Sequence, residues 1–142
     1  MTYDVSVTSH VRTPFPQDVL QQACINALKH SKVTSAQIEI LVVGDKSMRD
    51  LNKKHLNHDY TTDVLSFDLG STPEADMLGQ LIICYSYAKK EAAKRSISVS
   101  EEICRYAIHG TLHLLGYDDT KEKERSEMWE VQEELVRQLS LS

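Results

Sequence analysis

The stretch SVSEEICRYAIHGTLHLLGYDD, residues 98–119, contains the clearest helix pattern in the chain. Ser98 followed by Glu101 forms a capping-box pattern, which is typical of a helix N-terminus. Gly116 is a residue type common just beyond a helix C-terminus. Apolar residues recur between them at helical spacing: Ile103, Ala107, Ile108, Leu112 and Leu115. The sequence therefore predicts a helix from about residue 99 to residue 115.

Segments with strand-like and helix-like periods alternate on both sides of this helix. Strand patterns cover Tyr3 to Thr8, Ile38 to Val43, Thr62 to Leu69, and Leu78 to Cys84. Helical patterns run from Pro16 to about Lys29, from Asp45 as N-cap to about His55, from Tyr85 to about Arg95, and from about Lys121 to the C-terminus. Turn formers break the pattern at Asn57 to Tyr60 and predict a loop at Gly70 to Pro73. We expect an α+β fold in which a small mixed sheet of about four strands packs with helices.

The length of 142 residues and the apolar fraction of 41% predict a single domain, residues 1–142, with one hydrophobic core. No stretch approaches the roughly 20 apolar residues that a membrane helix needs, and the N-terminus has no signal-peptide pattern. We therefore expect a cytoplasmic protein, and a monomer. The three cysteines, Cys24, Cys84 and Cys104, lie in apolar runs without C-x-x-C spacing, so we expect buried reduced thiols.

The net charge of -5 argues against a protein that coats nucleic acid through a broad basic surface. An RNA substrate would therefore need a local positive site, to which a metal ion would contribute. Two basic clusters could add to it: Lys53-Lys54-His55, and Lys89-Lys90 with Lys94-Arg95. Either cluster alone is more often a solvated helix face.

His109 and His113 stand at positions i and i+4 of the predicted helix, so both imidazoles project from one face. This is the spacing with which two nitrogens bind one metal ion. With six histidines in 142 residues, chance alone gives roughly a quarter of one such pair per chain, so spacing by itself is a weak signal. The alternative is a pair of histidines that make local hydrogen bonds.

A third ligand follows the histidine pair closely in sequence. The helix ends at Gly116, and the turn at Tyr117-Asp118-Asp119 brings carboxylates back toward the two imidazoles. Two nitrogens and one carboxylate oxygen leave a coordination position open, which is typical of catalytic rather than structural zinc sites. The pattern predicts a metal site formed by His109, His113 and a carboxylate of this turn, Asp118 or Asp119.

Two motifs resemble the signatures of a known family. The segment HGTLHLLGYDD, residues 109–119, resembles H-G-x-L-H-L-x-G-Y-D-H of the YbeY family, and TDVLSF, residues 62–67, resembles its second signature. Leu51-Asn52 and Leu78-Gly79 fall where the family has comparable elements. The resemblance implies a metalloprotease-like zinc site with one Zn²⁺ per chain. It also implies a single-strand-specific endoribonuclease that acts in 16S rRNA 3′-end maturation and ribosome quality control, with the small ribosomal subunit as partner.

The chain departs from the family pattern at three positions. Asp119 replaces the usual third histidine, which lowers the net positive charge at the metal by one unit and favours admission of iron or manganese. Leu56 aligns with an arginine of the family, so the phosphate-binding cation would have to come from another residue: Lys53, Lys54 or His58. Gln80 replaces an aspartate after Leu-Gly.

The general base is harder to assign than the metal ligands. Peptidases with H-E-x-x-H use the glutamate after the first histidine, but Gly110 stands there, which disfavours a protease. Asp63 or Asp118 could accept a proton or orient a ligand imidazole, although Asp63 could equally cap its strand. Ser66 could contact phosphate, although a serine in a strand is more often structural. Four tyrosines are possible stacking partners or ordinary core residues: Tyr60, Tyr85, Tyr87 and Tyr117.

Two other functional classes remain open at this stage. The chain could be a non-catalytic ribosome-assembly factor whose metal is structural, and chelation would then unfold it. It could also be a metal-dependent hydrolase of another phosphoester. Metal analysis combined with a panel of substrates distinguishes these alternatives.

Overall fold

The computed structural model describes residues 1–56 and 63–139, with only the backbone described for His55 and Leu56. Several sequence-based expectations fall outside the described residues. They are the break at Asn57 to Tyr60, the strand start at Thr62, and the roles considered for His58 and Tyr60. The side chain of Leu56 is likewise outside the description.

Four strands and five helices form the described part of the chain. The strands are β1 Thr2–Ser9, β2 Ser35–Val43, β3 Val64–Thr72 and β4 Ala75–Cys84. The helices are α1 Gln17–Lys29, α2 Asp45–Leu56, α3 Tyr85–Arg95, α4 Val99–Leu114 and α5 Glu122–Arg137. The periodicity therefore predicted the type of every one of these elements correctly.

The four strands form one mixed sheet in the order β1-β2-β4-β3. β1 pairs parallel to β2, and β2 pairs parallel to β4, with Ile38 opposite Gly79. β3 pairs antiparallel to β4, with Ser66 opposite Leu81, and forms one edge of the sheet. The α+β class with a small mixed sheet is confirmed.

The predicted loop from Gly70 to Pro73 is wrong in its extent. Gly70, Ser71 and Thr72 belong to β3, and the turn consists of Pro73 and Glu74 alone. The strand continues because two register shifts, between Asp68 and Gly70 and between Gly70 and Thr72, absorb the irregular backbone. Gly70 has a φ of +93°, which glycine adopts without strain.

Helix α4 forms the centre of the core. It contacts α1, α3 and α5 as well as β3 and β4, and most of its residues are buried. Ile108 and Leu112 join Ile40, Leu81 and Ile83 of the sheet in the main hydrophobic cluster. The two candidate histidine ligands are therefore carried by a helix most of whose residues are buried in the core.

All three cysteines are buried and free, as expected from their apolar surroundings. Burial raises the pKa of the Cys24 and Cys104 thiols to about 12, so these sulfurs stay protonated near neutral pH. Their role is packing. Among the described residues, no helix combines the length and apolar character that membrane crossing requires.

Candidate metal centre

After the end of α4, the chain folds back toward the last turn of that helix. The Ser98 hydroxyl accepts from the Glu101 N–H at 3.0 Å, so the first half of the expected capping box is present. At the other end, the Gly116 N–H donates to the His113 carbonyl and the Tyr117 N–H to the Leu112 carbonyl, both at 3.0 Å. These two bonds form a Schellman motif, whose left-handed position is Gly116 with φ +98°. This turn carries the next residues back toward the histidine face.

His109, His113 and Asp119 meet at one point, as the sequence predicted. The two Nε2 atoms are 3.1 Å apart, and Asp119 Oδ2 lies 3.7 Å from Nε2 of His109 and 3.4 Å from Nε2 of His113. A tetrahedral ion with bonds of about 2.05 Å separates its ligand atoms by about 3.3 Å. The observed separations bracket this value, so these three residues fit one metal ion.

Hydrogen bonds to the Nδ1 atom of each ring fix the tautomers of His109 and His113. His109 Nδ1 lies 2.7 Å from Gln132 Oε1, and His113 Nδ1 lies 3.2 Å from the Tyr117 carbonyl oxygen. Both partners are acceptors, so each Nδ1 carries the proton and each Nε2 presents its lone pair. In this tautomer both Nε2 lone pairs point toward the Asp119 carboxylate, an arrangement that a bound cation would stabilise. Ligand histidines are held in this way in metal sites.

Gln132 connects the metal centre to a buried ionic network. Its side chain is only 3% exposed, and its Nε2 donates to Glu133 Oε2 at 3.0 Å, which leaves Oε1 facing His109. Glu133 in turn accepts two bonds from Arg105, from Nε and Nη2, each at 2.9 Å. Burial acts to raise the pKa of Glu133, but the hydrogen bonds from Arg105 and Gln132 outweigh it and hold the pKa below its usual value. Glu133 is therefore a carboxylate that can orient the amide.

Arg105 is the central member of what we call the Arg105 network. Its guanidinium also donates to Glu102 at 2.8 Å and to Glu101 at 3.2 Å. Burial acts to lower the pKa of Arg105, yet its bonds to Glu133 and Glu102 outweigh burial and raise the pKa above the usual value. Glu102 also accepts from Arg95 at 3.0 Å. The network consists of Arg95, Glu101, Glu102, Arg105 and Glu133.

Gly110 lies where α4 approaches the edge strand β3 most closely. A Cβ at this position would be 2.9 Å from both Ser66 Oγ and Leu81 Cδ2, and 3.2 Å from Val64 Cγ2. The Ser66 hydroxyl donates to the Gly110 carbonyl at 3.1 Å across the same contact. A glutamate at this position would therefore displace the helix from the sheet. The packing explains physically why the H-E-x-x-H arrangement of peptidases is absent here.

Asp63 and Asp118 differ in what their carboxylates contact. Asp63 lies just before β3 and lines, together with His109, both clefts that flank the centre. Asp118 directs its carboxylate at Thr120, accepting from the backbone N–H at 3.0 Å and from the hydroxyl at 3.1 Å. These bonds from Thr120 lower the pKa of Asp118. Asp118 thus holds the turn that presents Asp119, and lines a separate hollow on the outer side of that turn.

The candidate RNA-binding lysines, Lys53 and Lys54, line neither of the two clefts beside His109. Lys53 and Lys54 are exposed on α2. The other basic cluster is partly neutralised, because Lys94 pairs with Glu91 at 3.6 Å and Arg95 with Glu102. The tyrosines considered as stacking partners differ in position: Tyr87 lines the cleft beside His109, whereas Tyr85 packs against Phe15.

Two clefts meet at the centre. One, of about 450 Å³, follows β3 from Val64 to Phe67 and includes both histidines. The other, of about 410 Å³, lies between α3, α4 and α5 and includes His109 and Asp119. Both volumes fall in the range usual for ligand sites. An extended chain could therefore cross the metal position from one cleft to the other.

Sequence reasoning missed Gln132, Glu133 and Arg105 as parts of the centre. One signal was available for Gln132. It lies on the apolar stripe of α5, between Met128 and Val136, where a polar side chain is unusual unless it has a buried partner. The pairing of Glu133 with Arg105 spans 28 residues of sequence, and no local pattern indicates it.

Gln132→Ala is expected to weaken metal binding by about 10- to 100-fold, the usual effect of removing the partner of a ligand histidine. The ring of His109 then loses the acceptor that fixes its tautomer and orientation. Titration with a metal-binding indicator dye measures the affinity. Gln138→Ala, an exposed substitution at the end of α5, is the matched control and should bind metal as the unaltered chain does. Equal affinity in the two variants would show that Gln132 does not orient His109.

Comparisons with known proteins identify relatives of this chain. A family model described as Endoribonuclease YbeY matches residues 5–140. A protein named Endoribonuclease YbeY from Persephonella marina is 35% identical over 124 residues, covering 84% of this chain and 81% of the relative. Its namesake from Helicobacter pylori strain ATCC 700392 / 26695 is 37% identical over 131 residues, covering 92% and 89%.

The fold also matches a solved structure. The solution structure of TM1509 from Thermotoga maritima gives a TM-score of 0.64, covering 96% of this chain and 87% of that chain. Sequence identity between the two is 22%, so this match concerns the fold alone.

Proposed function

The chain belongs to the endoribonuclease YbeY family, and from that premise we propose that it is a metal-dependent endoribonuclease specific for single-stranded RNA. The resemblance drawn from its two sequence motifs is confirmed. The observation that carries the metal dependence is the convergence of three ligand atoms within 4.8 Å of one another at the end of α4.

We propose Zn²⁺ as the ion, one per chain, held by His109, His113 and Asp119. Two imidazoles and a carboxylate suit zinc, and they also accept other divalent transition metals. When bound, such an ion acts as a Lewis acid toward the scissile phosphodiester. The remaining functions fall to the side chains of the protein.

Asp63 is our proposed proton acceptor. It lines both clefts beside His109, and its Oδ1 accepts the Val64 N–H at 2.8 Å, which fixes the carboxylate at the start of β3. Asp118 has both carboxylate oxygens bonded to Thr120, so we assign it the positioning of Asp119 through the turn. Gln132 and the Arg105 network hold His109 in orientation.

The substrate path we propose follows the two clefts across the metal centre. Ser66 fixes α4 to β3 at the wall of the β3 cleft, and the exposed Lys53 and Lys54 add positive charge on α2. A base-paired duplex is too rigid and wide to follow this path, whereas an unpaired strand bends through it. Selectivity for single strands would follow.

The cellular role we propose is processing of the 3′ end of 16S rRNA and ribosome quality control. The chain would act in the cytoplasm as a monomer of one domain, residues 1–142, on the small ribosomal subunit. The names of the relatives support the RNA-cleaving activity. The partner, the compartment and the oligomeric state are parts of the same proposal.

Metal removal tests the proposal. Purified protein should contain about one equivalent of transition metal and cut unstructured RNA, and excess chelator should reduce the rate by more than about 100-fold. Added Zn²⁺ should restore it, and a fully paired RNA of the same sequence should remain uncut. Full activity in excess chelator would contradict the metal dependence. Unfolding on chelation, with no cleavage of any substrate by the metal-loaded protein, would indicate a structural metal instead.

A further inference from the structure

The cleft between α3, α4 and α5 has a wall that the metal centre does not use. His109 and Asp119 line this cleft, and so do α5 side chains that include Arg125 and Trp129. The volume of about 410 Å³ is comparable to known ligand pockets. Because one cleft contains both sets of residues, a group bound at Arg125 and Trp129 can belong to a substrate at the metal centre.

Trp129 is the only tryptophan of the chain, and its side chain is 52% exposed at this cleft. Among the described residues, the other exposed large apolar side chains are Met1 and Leu69, and neither lines this cleft. A half-exposed indole loses part of the hydrophobic stabilisation that full burial of its surface would give. A flat π-face at the rim of a polar cleft suits stacking with a planar ring.

Arg125 lies one helical turn before Trp129 on α5 and is exposed. It makes no ion pair with any residue in 1–56 or 63–139. The other two arginines of the cleft differ, because Arg95 is paired with Glu102, and Arg105 with Glu101, Glu102 and Glu133. Arg125 is thus the guanidinium of this cleft that is available to an anion, and a guanidinium is well suited to phosphate.

Tyr106 forms part of the wall of this cleft and is only 5% exposed. Burial and the neighbouring Glu102 carboxylate raise the pKa of its phenol, so the hydroxyl stays neutral beside the ionic network. The cleft therefore combines a stacking surface with a free cation.

We propose that this cleft is a nucleotide subsite for a base next to the scissile phosphate. The base stacks on Trp129, and an adjacent phosphate binds Arg125. The proposal rests on the proposed function and adds the residues that select an unpaired strand. A base inside a duplex is already stacked and paired, so it cannot face the indole.

Fluorescence of the single tryptophan tests the subsite directly. Metal-loaded protein is titrated with a short single-stranded oligodeoxyribonucleotide, which a ribonuclease leaves intact and which presents the same π-faces. We expect quenching that saturates with the single strand and is nearly absent with the corresponding duplex. No quenching, or equal quenching by duplex, would overturn the proposal.

Variants give an independent readout during RNA cleavage. Trp129→Ala should raise KM by about 10- to 100-fold with kcat within a few-fold of the unaltered enzyme, and Trp129→Phe should retain most of the affinity. Arg125→Ala should raise KM by about 10-fold and flatten its dependence on salt. Arg137→Ala, at the far end of α5 and paired with Glu134, is the control and should leave KM unchanged. Metal content should be the same in all four.

The two levels of the proposal fail separately. If the unaltered protein cuts RNA, but Trp129→Ala and Arg125→Ala keep its KM, the subsite is wrong and the endoribonuclease function stands. If the unaltered protein cuts no RNA, the proposed function fails. The fluorescence titration then decides on its own whether the cleft binds single strands.

Discussion

His113→Ala is expected to abolish stable metal binding and to lower the rate of RNA cleavage by about 10³-fold or more. His113 Nε2 is close to both other ligand atoms, 3.1 Å from His109 Nε2 and 3.4 Å from Asp119 Oδ2. Two remaining ligands hold a divalent ion weakly, and the Lewis acid supplies several kcal/mol of transition-state stabilisation. Each 1.4 kcal/mol lost is a factor of ten in rate. Elemental analysis of the purified variant and a cleavage assay measure both effects.

The matched variant is Asp119→His, which keeps three ligands. It should retain metal or bind it more tightly, because a third imidazole replaces a partly exposed carboxylate. His30→Ala, an exposed substitution beyond α1, controls for loss of histidine as such and should behave as the unaltered chain does. Asp119→Ala should lose most of the metal. Retention of a full equivalent by Asp119→Ala would show that the third ligand is another group, with Asp118 the first to examine.

The convergence of His109, His113 and Asp119 was predictable because it depends on local rules. His109 and His113 follow from helical spacing, and the return of the chain follows from the glycine at residue 116, whose positive φ completes the Schellman motif. The choice between the two adjacent aspartates is subtler. Asp118 is turned away by its bonds to Thr120, a local Asx-type pattern that the sequence Asp118-Asp119-Thr120 contains.

The supporting residues were not predictable in the same way. Gln132 reaches His109 because α5 packs across α4, and this crossing depends on apolar contacts such as those of Met128 and Leu135. No local spacing rule joins residues 23 positions apart. The same holds for the extension of β3 beyond Gly70, where pairing with β4 overrides the turn preference of the sequence.

Arg105→Ala is expected to lower the free energy of unfolding by about 3–5 kcal/mol. The Arg105 side chain is 8% exposed, and its removal leaves the buried carboxylate of Glu102 and the largely buried one of Glu133 with fewer partners. Breaking a buried network by deleting one member carries this cost because an uncompensated charge stays in a poorly solvated site. Urea denaturation followed by circular dichroism measures the change.

Arg137→Ala provides the control for this prediction, because it removes an arginine with a short carboxylate contact at the surface. Its pair with Glu134 has an N···O distance of 2.7 Å, but the two side chains are 65% and 55% exposed, so solvent screening should leave a loss far smaller than that of Arg105→Ala. Similar losses in the two variants would show that burial does not increase the contribution of the Arg105 network to the free energy of unfolding.

The Arg105 network also connects stability to the metal centre, and this coupling can be measured. Glu133 orients the Gln132 amide, which in turn orients His109, so Arg105→Ala should weaken metal binding although the guanidinium is not a ligand. If the effect passes through Gln132, the double variant Arg105→Ala/Gln132→Ala will lose less affinity than the sum of the losses in the two single variants. Full additivity would mean that Arg105 acts on the fold alone. In that case Gln132 would hold His109 without help from the charges behind it.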